Sequence, residues 1–247
     1  MAMRKFHTAQ AVTPRSGLEP ERQRDRALIG GSLELRRAHG QSTGVSGQFV
    51  LDPVFFPEHE DRLRAFCDPA DPRPLVVEIG FQMGRFATDY CLLNPGTRFV
   101  GFEVRKSYCE EANARFEKFG VQNALLALVD AREMLPRVLQ PGTLDALFVF
   151  FPDPWWKKRH MKKRMISPEF AADAARWLRP GGHLLLKTDV PDYATWAEAE
   201  LRREPAFEVE RLADPGAGLP PTLRERRCAL RNQPTYAVIA RRREDPK

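Results

Sequence analysis

One short segment of the chain places a carboxylate, two tryptophans and a dense cluster of positive charge side by side. Asp153 lies between two prolines, Trp155 and Trp156 follow it, and six of the eight residues in 157–164 are Lys or Arg. The prolines restrict the backbone and so fix the direction of the carboxylate. The tryptophans could stack on a base or line a pocket, and the cations could hold phosphates. The combination indicates a polyanion that is held and then acted upon.

The same segment accounts for the charge of the whole chain. There are 39 Lys and Arg against 33 Asp and Glu, so removing these six leaves 33 of each. Taken singly, either tryptophan could equally be a core residue, and the basic run could be a solvated face or a localisation signal. The segment directly follows an apolar, strand-like run that begins at Leu144. Its position favours function, because catalytic groups of α/β proteins lie where strands end.

Three further acids stand at or near the ends of strand-like runs. Glu78 precedes a turn in which Gly80 and Gly84 would let the backbone approach a ligand closely. Glu103 could accept hydrogen bonds from a ribose diol, and Asp130 could accept from an adenine amine. Singly, these features could be an ordinary turn, a solvated acid and a helix cap. Together they suit an amino group, a ribose and an adenine but repel pyrophosphate, which favours S-adenosylmethionine over NAD.

Two more polar groups follow later in the chain. Thr188 and Asp189 end a fifth apolar run, and the segment Thr222–Arg227 combines a threonine, a glutamate and arginines. Both would lie near the same sheet edge in a doubly wound fold. Alone, either would pass for a helix cap or a loop.

The elements that must position these residues alternate between strand and helix. This alternation predicts an α/β fold with a doubly wound sheet of seven strands, and the two late strands suggest an antiparallel edge. The predicted strands are Leu75–Ile79, Arg98–Val104, Ala124–Val129, Leu144–Phe151, His183–Thr188, Phe207–Leu212 and Tyr236–Ala240. The predicted helices are Glu58–Phe66, Arg85–Leu93, Lys106–Phe119, Ala131–Leu139, Pro168–Leu178, capped by Ser167, and Tyr193–Arg203.

Composition restricts the class of protein further. No apolar run approaches the roughly 20 residues of a membrane helix, and we expect no membrane association. The four cysteines form no C-x-x-C pair, so we expect reduced thiols, no metal site and a cytoplasmic protein. Residues 1–45 carry 8 Lys and Arg and little apolar periodicity, so we expect a basic, flexible arm. Residues 46–247 are expected to form one domain.

At this point the motifs resemble a known family, the bacterial tRNA (guanine-N7-)-methyltransferases. The resemblance covers residues 75–242, and its most specific part is F-P-D-P-W-x-K-K-R-H-x-K-x-R, which ends at Arg164. The supporting motifs occur in the family's order: E-I-G-F-x-M-G at Glu78–Gly84, G-F-E-V at Gly101–Val104, T-D at Thr188-Asp189 and T-x-x-E at Thr222–Glu225.

The resemblance implies a class I, Rossmann-like methyltransferase fold and methyl transfer from S-adenosylmethionine to guanine N7. The guanine would be at position 46, in the variable region of tRNA, and no obligate protein partner is expected. The donor would be held by Glu78, Gly80, Gly84, Glu103, Asp130 and Asp153. Asp153 would also be catalytic, and Lys157, Asp189, Thr222 and Glu225 would contact the substrate. Phosphates would be contacted by Lys158, Arg159, Lys162, Lys163 and Arg164.

Two positions depart from the family pattern beside the expected site. Gln82 stands where the family usually has a small residue, often glycine, and Trp156 stands where proline is usual. Guanine N7 has a free lone pair and needs no general base. We therefore expect Asp153 to orient the base or stabilise the developing positive charge rather than abstract a proton.

Two rival functions remain open from the sequence. One is methylation of an adenine or cytosine amine in nucleic acid, although the sequence here is D-P-W followed by basic residues rather than D-P-P-W. The other is a non-catalytic RNA-binding protein on a methyltransferase scaffold, for which Gln82 is the best support.

Overall fold

The computed structural model describes residues 50–51, 57–216 and 218–244. The predicted arm, residues 1–45, lies outside them. The strands are β1 (Val50–Leu51), β2 (Leu75–Ile79), β3 (Arg98–Glu103), β4 (Ala124–Leu128), β5 (Leu144–Phe150), β6 (Leu178–Thr188), β7 (Phe207–Leu212) and β8 (Tyr236–Arg242). The helices are α1 (Glu58–Phe66), α2 (Arg85–Leu93), α3 (Lys106–Phe119), α4 (Ala131–Val138), a 3-10 helix (Lys158–Lys163), α5 (Pro168–Trp177), α6 (Pro191–Leu201) and α7 (Leu223–Leu230).

The described strands form one mixed sheet in the order β1-β4-β3-β2-β5-β6-β8-β7. β8 runs antiparallel to both β6 and β7, and the other described strand pairs are parallel. The two-residue β1 adds to the seven strands that the sequence predicts. Strand order reverses between β2 and β5, and ligands of open α/β sheets bind outside the carboxyl ends of strands at such a reversal.

A hydrophobic core covers each face of the sheet. On β2, Val77 belongs to one core and Val76 to the other, because side chains of a strand alternate between faces. Glu78 and Lys187 have the same parity as Val76 and Leu185, which places both charged residues on the face of the second core. Two charged groups therefore approach a buried apolar layer near the strand ends.

Two short helices lie where the sequence predicts none. Of the eight residues of α7, all of them described, only Cys228 is buried, so the helix has almost no apolar stripe. The 3-10 helix consists of KRHMKK and likewise offers no apolar periodicity. By contrast, the predicted cap of α5 is confirmed, since Ser167 Oγ accepts a hydrogen bond from Phe170 N at 3.2 Å.

Candidate functional site

A cleft opens at the carboxyl ends of β2 and β5, at the point where strand order reverses. Its walls come from the turn after β2, from the end of β5 and from the first turn of α7. The lining residues include Glu78, Gly80, Gln82, Phe150, Thr222 and Arg224. The turn after β2 and the distant helix α7 therefore face the same space.

The turn after β2 contains three left-handed residues within five positions. The φ angles are +81° at Gly80, +51° at Gln82 and +67° at Gly84. A Cβ on Gly84 would lie 2.7 Å from Cβ of Ala112 in α3, so only glycine lets α2 begin this close to α3. Gln82 adopts an angle that glycine accepts without cost, which gives a physical reason for the small residue usual at this position.

Glu78 is a buried acid on the floor of the cleft, with 3% of its surface exposed. Within the described residues its Oε2 has no hydrogen-bond partner. Burial, and secondarily the Glu103 carboxylate, raise the pKa of Glu78 to about 8. An unpaired buried carboxyl is costly, and this one lines an open cleft. It is therefore suited to receive a donor group, above all an ammonium, from a bound ligand.

Glu103, at the end of β3, organises the glycine turn. Its Oε2 accepts a hydrogen bond from Gln82 N at 3.1 Å, and its Oε1 accepts from Val104 N at 2.8 Å and Arg105 N at 3.0 Å. These bonds fix the carboxylate at the edge of the cleft. Each oxygen of a carboxylate can accept about two bonds, so Oε2 can still accept one from a ligand hydroxyl.

Asp130 is a helix cap, which is one of the two interpretations that the sequence left open. It caps α4 by accepting from Arg132 N at 2.9 Å, and its carboxylate also pairs with the Arg132 guanidinium, with Oδ2 to Nη2 at 2.6 Å. Burial tends to raise the pKa of Asp130, but the bonds from Arg132 outweigh it and lower the pKa. The residue is thus a charged helix cap at the third strand end of the same sheet edge.

The segment that carries Asp153 leaves β5 through a strained turn. Phe151 has φ of +50° and donates its N–H to Lys187 O at 2.7 Å. Asp153 is exposed. Pro154, the next residue, is held through its backbone, because Arg164 Nε donates a hydrogen bond to Pro154 O at 2.8 Å.

Arg164 itself is partly buried between this segment and α6. Its guanidinium carbon lies 4.5 Å from the centre of the Trp196 ring and 5.6 Å from that of Tyr193. Cation–π contacts at such distances fix an arginine in place. Arg164 therefore fastens the Asp153 segment to α6.

The other cationic residues of the segment lie on or beside the 3-10 helix. The side chains of Lys157, Arg159, Lys162 and Lys163 are exposed. Lys158 is the first residue of the helix. No acid occurs between Pro154 and Ile166, so this surface carries a concentrated positive charge next to Asp153.

Thr222 and Glu225 are joined in a capping box at the start of α7. Thr222 Oγ1 accepts from Glu225 N at 3.1 Å, and Glu225 Oε2 accepts from Thr222 N at 2.7 Å. The other oxygen of Glu225 accepts from Lys187 Nζ at 2.7 Å. Lys187 is completely buried, and its Nζ lies 5.2 Å from the centre of the Phe150 ring. A buried ion pair thus fastens α7 to β6.

Lys187 is the residue of this site that sequence reasoning missed. The available signal is a lysine at the end of the apolar run Leu184–Leu186, directly before Thr188-Asp189. Lysine is almost never fully buried without a partner. Such a lysine predicts a buried acid, although nothing local identifies Glu225, 38 residues away.

Asp189 is bound to α7 and to the segment after it. Its Oδ2 accepts from Arg224 Nε at 3.0 Å, from a second nitrogen of the same guanidinium, and from Gln233 Nε2 at 3.1 Å. The start of α7 is therefore joined to Lys187 and Asp189, at the end of β6, by two ion pairs, one through Glu225 and one through Arg224.

The structure divides the predicted site residues into groups. Glu78, Gly80 and Thr222 line the cleft, while Glu103 and Gly84 support its turn. Asp189 and Glu225 are engaged in internal pairs behind the opposite wall. Within the described residues no helix is both long and apolar enough to span a bilayer.

Comparison with solved structures supports the predicted fold. The 16S rRNA methyltransferase KamB superposes with a TM-score of 0.53 at 22% identity, covering 76% of this chain and 94% of that one. An S-adenosylmethionine-dependent O-methyltransferase from Thermotoga maritima gives a TM-score of 0.50 at 14% identity, with 78% and 67% covered. The class I methyltransferase fold is confirmed.

Sequence relatives define the family. The family model described as "Putative methyltransferase" matches residues 72–238. The tRNA (guanine-N(7)-)-methyltransferase of Myxococcus xanthus is 37% identical over 172 residues, covering 66% of this chain and 81% of the relative. The protein of that name from Synechococcus sp. is 33% identical over 174 residues, covering 69% and 72%. By its fold, its motifs and these relatives, the chain belongs to the tRNA (guanine-N7-)-methyltransferase family.

Proposed function

We propose that this protein transfers a methyl group from S-adenosylmethionine to N7 of the guanine at position 46 of tRNA. The single observation that carries the proposal is the cleft itself. A buried, unpaired carboxyl, Glu78, lines the cleft beside the end of β5. The strand leads directly into the Asp153 segment and its basic surface.

The acids at the ends of β2, β3 and β4 fit the parts of the donor. Glu78 would accept from its ammonium group, which satisfies the unpaired Oε2. Glu103 would accept from a ribose hydroxyl, and Gly80 and Gly84 would keep the turn close to the ligand. Asp130 would accept from the adenine amine while sharing its charge with Arg132.

Asp153 has an electrostatic role in this proposal. S-adenosylmethionine, when bound, supplies an electrophilic methyl group on its sulfonium. Asp153 would accept hydrogen bonds from N–H groups of the guanine and would balance the positive charge that develops on the purine ring. It would also complete the donor site. Because N7 already has a lone pair, Asp153 abstracts no proton from it, and most of the acceleration comes from alignment.

Two sets of residues would hold the tRNA. Lys157, Asp189, Thr222 and Glu225 would form or support the wall that contacts the target nucleotide. Lys158, Arg159, Lys162 and Lys163 would contact phosphates, which makes binding weaker as salt rises. Arg164 belongs to the same basic run, and we assign it mainly to holding the Asp153 segment.

We also propose a cytoplasmic location. All four cysteines are buried, and no disulfide occurs within the described residues. Cysteines that form no disulfide are typical of reducing compartments.

The test is to incubate the full-length protein with labelled S-adenosylmethionine and an unmodified tRNA transcript, then digest and identify the labelled nucleoside. We expect 7-methylguanosine with wild-type protein and loss of turnover with Asp153→Asn, while tRNA affinity changes little because phosphate contacts hold the tRNA. Labelled methyladenosine or methylcytidine would contradict the proposed substrate atom. tRNA binding without donor binding would instead indicate a non-catalytic RNA-binding protein.

A further inference from the structure

Two adjacent tryptophans after Asp153 have opposite surroundings. Trp155 has φ of +44° and is half-buried, with the His160 ring edge-on at 5.6 Å and Lys163 Nζ 5.0 Å from its centre. Trp156 leaves 63% of its surface exposed. Trp155 thus packs within the segment, whereas Trp156 presents its ring to solvent.

The surroundings of Trp156 are strongly cationic. The exposed side chains of Lys157, Arg159, Lys162 and Lys163 belong to the same segment, in which no acid follows Asp153. An apolar protein partner would be poorly matched to this charge. A nucleotide fits it, because its phosphate attracts the cations while its base offers a flat face for stacking.

We propose that Trp156 is a base-stacking residue, which holds an unpaired nucleobase of the tRNA next to the methylated guanosine. The proposal rests on the proposed function for the identity of the RNA. Trp156 lies three residues after Asp153, so their Cα atoms are at most about 11 Å apart. The stacked base is accordingly that of a near neighbour of the target nucleotide.

Stacking would supply binding energy of a different kind from the basic residues. Contacts with phosphates release counterions and weaken steeply with salt, whereas stacking on an aromatic ring has little salt dependence of its own. Trp156 would also help to hold the variable region unstacked, since a base bound to the ring is removed from its neighbours in the RNA.

An anionic membrane surface also attracts tryptophan and lysine. The fold favours RNA, because membrane-surface binding of this kind uses an amphipathic helix with a broad apolar face. Here the helix has six residues, KRHMKK, in 3-10 conformation. The segment also begins at the end of β5, where the ligand sites of this fold class lie.

The test compares Trp156→Ala and Trp156→Phe with a matched control, Leu230→Ala, which alters a residue that is 87% exposed on α7. Affinity for the tRNA transcript is measured at several salt concentrations, together with donor affinity and quenching of tryptophan fluorescence by tRNA. We expect Trp156→Ala to weaken tRNA binding about tenfold with an unchanged salt slope and unchanged donor affinity. Trp156→Phe should keep most of the affinity, and both variants should lose much of the quenching.

Wild-type affinity and quenching in Trp156→Ala would overturn the stacking role, even if the protein produces 7-methylguanosine. Loss of binding to vesicles of anionic lipid, with tRNA binding intact, would also overturn it and identify a membrane contact. Conversely, if Trp156→Ala weakens tRNA binding as expected but no 7-methylguanosine forms, the proposed function fails while the stacking role stands.

Discussion

The end of β2 and the contact between the end of β6 and the start of α7 surround their carboxyl groups in opposite ways. On the first side, which we call the donor side, Glu78 is buried with an oxygen that no described residue satisfies. On the second, the acceptor side, Glu225 is paired with buried Lys187, and Asp189 with Arg224 and Gln233. One side therefore leaves a polar group for a ligand, while the other uses its charges to build a wall.

This difference shows that the acids of the family motifs are of two kinds. A buried unpaired carboxyl destabilises the ligand-free protein and gains a partner when a ligand binds. A buried ion pair contributes little net stability over apolar residues, yet breaking it is costly, so it mainly fixes geometry. The variants below test whether Glu78 behaves as the first kind and Glu225 as the second.

The largest effect should follow from breaking the Lys187–Glu225 pair. Lys187→Ala leaves Glu225 largely buried without its cation, and we expect a loss of about 3–5 kcal/mol in the free energy of unfolding, measured by urea denaturation. The double variant Lys187→Met/Glu225→Leu should recover much of this loss. If Lys187→Ala unfolds like the wild type, the acceptor wall does not depend on this pair.

A pH-dependent effect should come from Glu78. Its pKa is about 8 when folded, against 4.5 in an unperturbed glutamate, so the folded state retains a proton that the unfolded state releases. The free energy of unfolding should therefore fall by at most about 5 kcal/mol as pH rises from about 4.5 to 8, and then level off. Glu78→Gln should remove most of this slope and be more stable than wild type at pH 9.

Affinity for S-adenosylmethionine should change with pH in the opposite direction to the free energy of unfolding. Because an ammonium requires the ionised carboxylate, affinity for S-adenosylmethionine should rise with pH up to about 8 in the wild type and be weak in Glu78→Gln. Titration calorimetry in buffers of different ionisation enthalpy would measure the released proton. Equal affinity for S-adenosylmethionine in the wild type and in Glu78→Gln would show that Glu78 does not bind the methyl donor.

A smaller effect should separate Arg164 from its basic neighbours. Arg164→Ala frees Pro154 O and empties the space over Trp196. We expect kcat to fall about tenfold, because misplacing a positioned group slows alignment, with little change in tRNA affinity. Lys162→Ala should instead weaken tRNA binding and reduce its salt slope, with little change in kcat. Arg164→Lys should not rescue, since lysine lacks the planar fork. A drop in tRNA affinity without a change in kcat would assign Arg164 to phosphate binding.

The smallest effect should be a gain in stability. Gln82→Gly relieves a left-handed conformation, and we expect about 0.5–1 kcal/mol more stability, measured as a small rise in Tm. Gln82→Ala, which keeps a Cβ at φ of +51°, should give no gain. Equal stabilisation by both would show that the backbone angle is not the cause.

Sequence alone identified the regular part of the sheet because most of its strands are apolar runs followed by glycine, proline or acids, while Phe207–Leu212 starts with alternating apolar and polar residues. It placed Leu75–Ile79 and Phe207–Leu212 with the bounds that the structure has. It missed α7, whose stability comes from a capping box and ion pairs rather than from an apolar stripe. It also gave no indication that Glu225 meets Lys187, because pairing across 38 residues depends on how the chain folds.

The most direct test of the proposed function uses two tRNA transcripts that differ at one atom. One carries guanine at position 46 and the other 7-deazaguanine, in which N7 is replaced by carbon. With labelled S-adenosylmethionine, we predict methyl transfer to the first transcript, recovered as 7-methylguanosine, and none to the second, while both bind with similar affinity. Equal labelling of the two transcripts would contradict methylation at N7 of this guanine.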